Sequence, residues 1–113
     1  MDIYYFVDRR GRNPVKEFIH GLPFNEQDKI YAYIDELRRQ GHNLRRPMAD
    51  YLGSGIYELR PKANRVLYFF FLENSVVLVH AIRKKTDKVP EQDLKLAIKR
   101  KGETEEKQNI ERS

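Results

Sequence analysis

Between Tyr57 and Lys84 the chain carries three apolar runs rich in β-branched and aromatic residues, with only a few residues between them. The runs fall at about 56–60, 65–72 and 76–84. Pro61-Lys62-Ala63-Asn64 joins the first two, and a turn around Asn74-Ser75 joins the last two. A parallel crossover takes a dozen or more residues, so strands joined this closely must pair antiparallel. That constraint sets a three-stranded meander at the centre of the fold.

The flanking elements follow from local signals. Residues 2–7, rich in Ile, Tyr, Phe and Val, predict another strand. Asn13 is a good N-cap and Pro14 fits the first helical position. Val15, Phe18 and Ile19 then form one stripe, giving a short helix over 14–20 that Gly21 and Pro23 end. A second helix is expected from about Asn25, with Asp28 at a capping-box-like spacing. Ile30, Ile34 and Leu37 recur at i, i+4 and i+7 until Gly41 stops it. Residues 42–55 read as loop, with Pro47 and Gly53-Ser54-Gly55. Pro90 opens a last helix with Leu94, Ala97 and Ile98 on one side. Residues 102–113 are charged and nearly free of apolar side chains, so a flexible tail is expected there, beyond a single domain at 1–101. The order β-α-α-β-β-β-α predicts an α+β fold. Its sheet is four-stranded and mainly antiparallel, with a helical hairpin on one face and a C-terminal helix.

Charge is unevenly placed. Residues 1–36 carry a net −2, residues 37–101 a net +9 and residues 102–113 a net −2, for +5 overall. A polyanion would meet the middle of the chain. The absence of cysteine removes disulfides and thiolate metal sites, and fits a reducing cytoplasm. No apolar run approaches the roughly 20 residues of a membrane span. The apolar start has no basic segment ahead of it, so no signal peptide and no membrane partner are expected.

Strand alternation sorts the charges by face. With Arg60 opposite Arg65, Glu58 falls opposite Leu67. A two-residue turn at Asn74-Ser75 would set Arg65 opposite Lys84 and His80 opposite Phe69. Leu59, Val66, Tyr68, Phe70, Val77, Val79 and Ala81 then form a core face. Glu58, Arg60, Arg65, His80 and Lys84 share the other face with Leu67, Phe69 and Ile82. A one-residue slip would exchange Lys84 for Lys85 and displace His80.

Such a cluster suits cutting an RNA backbone without a metal or cofactor. A base takes the 2′-hydroxyl proton, cations stabilise the charged phosphorane, and an acid protonates the 5′-oxygen. Glu58 and His80 are the candidate proton-transfer groups, with Arg60, Arg65 and Lys84 or Lys85 as the cations that meet the phosphate. Arg60, Lys84, Lys88, Arg83, Arg45 and Arg46 are candidate RNA-binding groups. Plainer roles stand beside these: a half-buried structural histidine, a glutamate paired with an arginine, hairpin-edge charges and a solvated lysine turn. Metal chemistry lacks paired carboxylates at the strand ends, and the three histidines lack ligand spacing. Gly53-Ser54-Gly55 is too short for a phosphate loop and has no P-loop lysine.

Tyr57-Glu58-Leu59-Arg60, Arg65-Val66-Leu67-Tyr68-Phe69-Phe70 and His80-x4-Lys85-Thr86-x-Lys88-x-Pro90 together resemble toxins of the RelE/ParE superfamily, closest to its HigB-type, phage-associated branch. The resemblance covers roughly residues 2–100. It implies the fold just derived and a metal-independent endoribonuclease that cuts mRNA in the ribosomal A site, with the RNA 2′-hydroxyl as nucleophile. It also implies a cytoplasmic protein whose partners are the ribosome, mRNA and a cognate helix-turn-helix antitoxin, with operator DNA reached only through the antitoxin. By position, Arg65 matches the family arginine that opens the central strand and contacts the scissile phosphate. Lys85 stands where RelE-like members carry another active-site arginine, and Glu58 where RelE has a lysine. The tyrosine that RelE carries past its last strand has no counterpart near Pro90. His80 and Lys84-Lys85-Thr86 fit the HigB-like branch better. The same superfamily offers two other readings: a ParE-like non-catalytic inhibitor of DNA gyrase, and a member that only binds an antitoxin.

Overall fold

In a computed structural model that describes residues 1–113, the short connections fold as the sequence requires. β3 (Ile56–Leu59), β4 (Asn64–Phe71) and β5 (Ser75–Arg83) form an antiparallel meander. β1 (Asp2–Phe6) lies parallel to β5, a pairing made possible by the crossover through α1 (Pro14–His20) and α2 (Phe24–Gln40). β2 (Ala49–Gly53), α3 (Glu91–Lys107) and β6 (Ile110–Arg112) complete the chain. The sheet has six strands in the order β2-β3-β4-β5-β1-β6. No helix is long and apolar enough to cross a membrane.

The sheet is covered on both faces. Val15 and Ile19 of α1, with Ile30, Ile34 and Leu37 of α2, pack against Ile3, Leu59, Val66, Tyr68, Val76 and Leu78. On the other face Ala97 of α3 packs with Leu67, Phe69, Val77 and Val79. Double coverage explains why β4 and β5 are near-continuous apolar runs rather than alternating ones.

The α+β class, the helical hairpin and the C-terminal helix agree with expectation, but the sheet has six strands rather than four. β2 lies inside the segment expected to be loop. It is a short edge strand set between Pro47 and Gly53, so its composition resembles a turn. Residues 102–113 do not form a loose tail. α3 runs on through exposed Gly102 to Lys107, with Thr104 buried and its hydroxyl donating to the Arg100 carbonyl at 2.9 Å. Gln108 in the left-handed conformation then turns β6 back onto β1. The Val7 N–H donates to the Asn109 carbonyl and the Ser113 N–H to the Ile3 carbonyl, both at 2.9 Å. Arg112 pairs with Asp2 at 2.9 Å. An edge strand needs backbone partners more than apolar side chains, which is why low hydropathy misled here. α2 begins at Phe24 with Pro23 at its N-cap and no side-chain cap, so Asn25 does not start a capping box.

Register also departs from expectation. Glu58 does face Leu67. Arg65 lies opposite Ile82 rather than Lys84, and His80 lies opposite Leu67 rather than Phe69. The ladder shifts between Leu67 and Tyr68, with Val79 as the extra residue. A bulge turns neighbouring side chains to one face. Val77 and Val79 therefore pack beneath α3, and His80 stays on that same face, while Val76 and Leu78 take the hairpin side.

Truncating Ile34 to Ala, at the centre of the hairpin core, is expected to cost about 2–5 kcal/mol in urea unfolding. Leu72→Ala, at an exposed turn, should stay within about 0.5 kcal/mol. In hydrogen exchange the Ser113 amide should be slowed well below the rate of an unstructured terminus, because it donates into β1.

Candidate functional site

The end of β3, the start of β4 and the end of β5 meet at one end of the sheet, as an antiparallel meander requires. This brings Arg60, Arg65 and Lys84 together. Among them lie two buried charges: Glu58 is 3% exposed and Arg65 4%. The Arg60 Nη1 donates to Glu58 Oε2 at 2.6 Å. Glu58 Oε1 stands 3.6 Å from Arg65 Nε and has no hydrogen bond of its own. Arg65 Nη1 donates to the carbonyls of Lys62 and Asn64, each at 2.8 Å. Burial lowers the pKa of Arg65 and the Arg60 charge lowers it further, while Glu58 acts the other way. Removing one partner from a buried pair leaves an uncompensated charge, so each of these groups depends on the others.

Arg65 borders a small recess lined also by Lys84, Lys85, Thr86, Asp87 and Lys88. Lys84 Nζ lies 3.1 Å from Asp87 Oδ1, and this bond holds the Asp87 carboxyl below its ordinary pKa. Thr86 Oγ1 donates to the Lys88 carbonyl at 2.9 Å, shaping the loop. Lys85 and Lys88 are exposed. Arg45 and Arg46 precede β2. Arg46 grips Asp50 through Nε at 3.0 Å and Nη2 at 2.8 Å, and lowers that carboxyl's pKa. The Arg60 N–H donates to the Met48 carbonyl at 2.8 Å, so this segment adjoins the same end of the sheet.

Two expected site residues are engaged elsewhere. Arg83 pairs with Glu26 in the first turn of α2 at 2.7 Å, and Asn64 Nδ2 donates to the same carboxylate at 2.9 Å. These bonds hold the Glu26 carboxyl below its usual range. Arg83 lies opposite Asn64 in the ladder, one position out of phase with the recess residues, and ties β5 to the hairpin. His80 Nε2 lies 2.8 Å from Asp93 Oδ1 of α3. Arg100 Nη1 donates to the Val79 carbonyl at 2.8 Å and approaches His80 Nδ1 at 3.4 Å. With Nδ1 facing a guanidinium donor, the proton is assigned to Nε2, donating to Asp93. Burial lowers the His80 pKa and Arg100 adds to this, against the opposing bond to Asp93. Both ring nitrogens are therefore occupied in fastening α3 to β5.

Asp93, Arg100 and Asp87 were not among the sequence candidates. Asp93 and Arg100 stand seven residues apart on α3, a spacing that shares one helix face, and that pattern was available. Asp87 stood within the lysine run, where its sign marked it out.

Residues 17–102 match the family described as "Phage derived protein Gp49-like (DUF891)". No curated protein matches the chain. Among solved structures, a chain of the archaeal RelE–RelB complex from Pyrococcus horikoshii OT3 is similar, with a TM-score of 0.56 and 18% identity. The similarity covers 75% of this chain and 98% of that chain. At that identity the likeness is one of fold.

His80 binds fewer protons folded than unfolded, because its folded pKa is lowered. Its contribution to stability is therefore complete above the unfolded value of about 6.5 and is lost as pH falls from there through the lower folded value. Urea unfolding from pH 7.5 to pH 5.5 should show stability falling in the native chain, and a flatter profile in His80→Gln.

Proposed function

The chain belongs to the phage-derived Gp49-like family, a RelE/HigB-type toxin family, and from that premise we propose a ribosome-dependent mRNA endonuclease that blocks translation. The observation that carries this reading is the buried Glu58 carboxylate that sets Arg60 and Arg65 beside a lysine-lined recess. In the proposed reaction the RNA 2′-oxygen attacks the adjacent phosphorus. The bond to the 5′-oxygen breaks, leaving a 2′,3′-cyclic phosphate and a free 5′-hydroxyl. Charge gathers on the phosphoryl oxygens in the transition state, where fixed cations act with little reorganisation. Arg65 is such a cation, the exposed Lys85 adds charge beside it, and Arg60, Lys84, Lys88, Arg45 and Arg46 hold the flanking backbone.

Glu58 is a positioning residue on this reading, since it is buried and shared between two arginines. His80 positions α3. That leaves Asp87, the one carboxylate lining the recess, to take the 2′-hydroxyl proton, and the ammonium of its partner Lys84 to give one to the departing 5′-oxygen. Partners are proposed by analogy. The archaeal RelE was solved with RelB, and a cognate helix-turn-helix antitoxin would cover this chain likewise and carry it to operator DNA. The setting would be the cytoplasm, where ribosomes work.

The test is to induce the chain without its antitoxin and to map RNA 5′ ends, beside an Arg65→Ala strain. Growth arrest with cuts phased to codons is expected, with cleavage reduced about 10²–10³-fold in the variant, the cost of removing one transition-state donor. Arrest with intact mRNA would contradict the nuclease, and DNA breaks would point to a gyrase inhibitor.

A further inference from the structure

Beside the cationic end lies an aromatic group that the proposed cut does not use. Tyr51 of β2 pairs across the ladder with Tyr57 of β3, their ring centroids 4.8 Å apart. From Tyr57 the rings continue to Phe70 at 5.1 Å, and Phe70 stacks on His42 at 3.8 Å. Tyr57 and Phe70 are partly buried against the hairpin core. Tyr51 is not: it stands at the sheet edge, 53% exposed. Its hydroxyl accepts from the Gly55 N–H at 3.0 Å, which holds the ring in place.

Tyr51 and Tyr57 line a cleft of about 370 Å³ together with Arg45 and Arg46. Arg46 is held by Asp50, which lies opposite Glu58 in the ladder. Tyr57 lies on the hairpin face and Glu58 on the opposite one, so the cleft adjoins the Glu58 cluster around the sheet edge, where Asp50 and Glu58 are ladder neighbours. A fixed aromatic ring with one open face, flanked by arginines, is how single strands are held: the base stacks and the guanidinium takes the phosphate. A base inside a duplex has no free face to offer. A protein partner is favoured less, because Tyr51 is the one exposed apolar side chain of the cleft and the rim is charged.

We infer that the cleft of Tyr51, Tyr57, Arg45 and Arg46 is a stacking subsite for one unpaired base of the RNA strand that is cut at the Arg65 recess. The inference rests on the nuclease reading and deepens it. The substrate must be single-stranded for at least one nucleotide beside the cut, and mRNA in an empty decoding site satisfies this. Stacking is tolerant of base identity, so this subsite adds affinity and register more than sequence preference.

The test uses the full chain and ribosomes programmed with mRNA that is 2′-O-methylated through the open codon, so that nothing is cleaved. 2-Aminopurine is placed at successive positions and its fluorescence read on adding protein, with the same RNA run free of ribosomes. The native chain should quench one position. Tyr51→Phe should keep the quench, and Tyr51→Leu should lose it and bind about five- to a hundredfold more weakly. Unchanged melting of Tyr51→Leu shows that it folds. Equal quenching in Tyr51→Leu, or none at any position in the native chain, would overturn the subsite. So would a Tyr51→Leu protein that binds RNA normally but loses its antitoxin, which would give the cleft to protein. Cleavage of unmodified mRNA by the native chain and by Arg65→Ala, measured alongside, reports on the nuclease reading separately.

Discussion

The Glu58 carboxylate, buried between Arg60 and Arg65, sets the geometry on which the site depends. Three charges at a strand end would normally spread into water. Here the meander brings them within bonding distance and the core seals one side. Arg65 is further held by two backbone carbonyls of the β3–β4 connection and its neighbour. A guanidinium fixed in this way loses little freedom when it meets an anion, and it cannot swing away to a competing acid. Glu58 keeps one oxygen without a hydrogen bond. That oxygen faces Arg65 Nε at 3.6 Å, so the carboxylate meets a guanidinium on each side.

The second constraint is the bulge at Val79. Without it, alternation would have carried His80 to the hairpin face. With it, His80 meets Asp93 and Arg100 and anchors α3 over Leu67, Phe69 and Val77. α3 in turn delivers β6 to β1, so that the last residues of the chain close one edge of the sheet. The loop of residues 84–90 leads from β5 into α3. Fixing both ends of that loop places its lysines beside Arg65.

Much of this was legible in the sequence, for definite reasons. The short loops at 61–64 and around Asn74 forced the meander. The stripes of Val15 and Ile19 and of Ile30, Ile34 and Leu37 announced the hairpin. Glu58, Arg60 and Arg65 could be gathered at one end from strand order alone. What stayed hidden depended on backbone or on distant partners. β2 and β6 are held by main-chain bonds that composition does not encode. A bulge shifts register without a reliable residue signature. Arg83 finds Glu26 and His80 finds Asp93 across helix–sheet contacts, which local spacing could not foresee. A basic run such as 83–85 shows charge, but which member faces the recess is decided by the ladder.

The most direct measurement is a double-mutant cycle between Glu58 and Arg65, read as affinity for uncleavable mRNA on the ribosome. If Glu58 acts by holding Arg65, the loss from Glu58→Gln should largely vanish in an Arg65→Ala background, a coupling well beyond the roughly 0.5 kcal/mol of independent sites. Additive losses would mean that Glu58 acts without Arg65, through Arg60 or by itself, and would contradict a site in which the buried carboxylate positions Arg65.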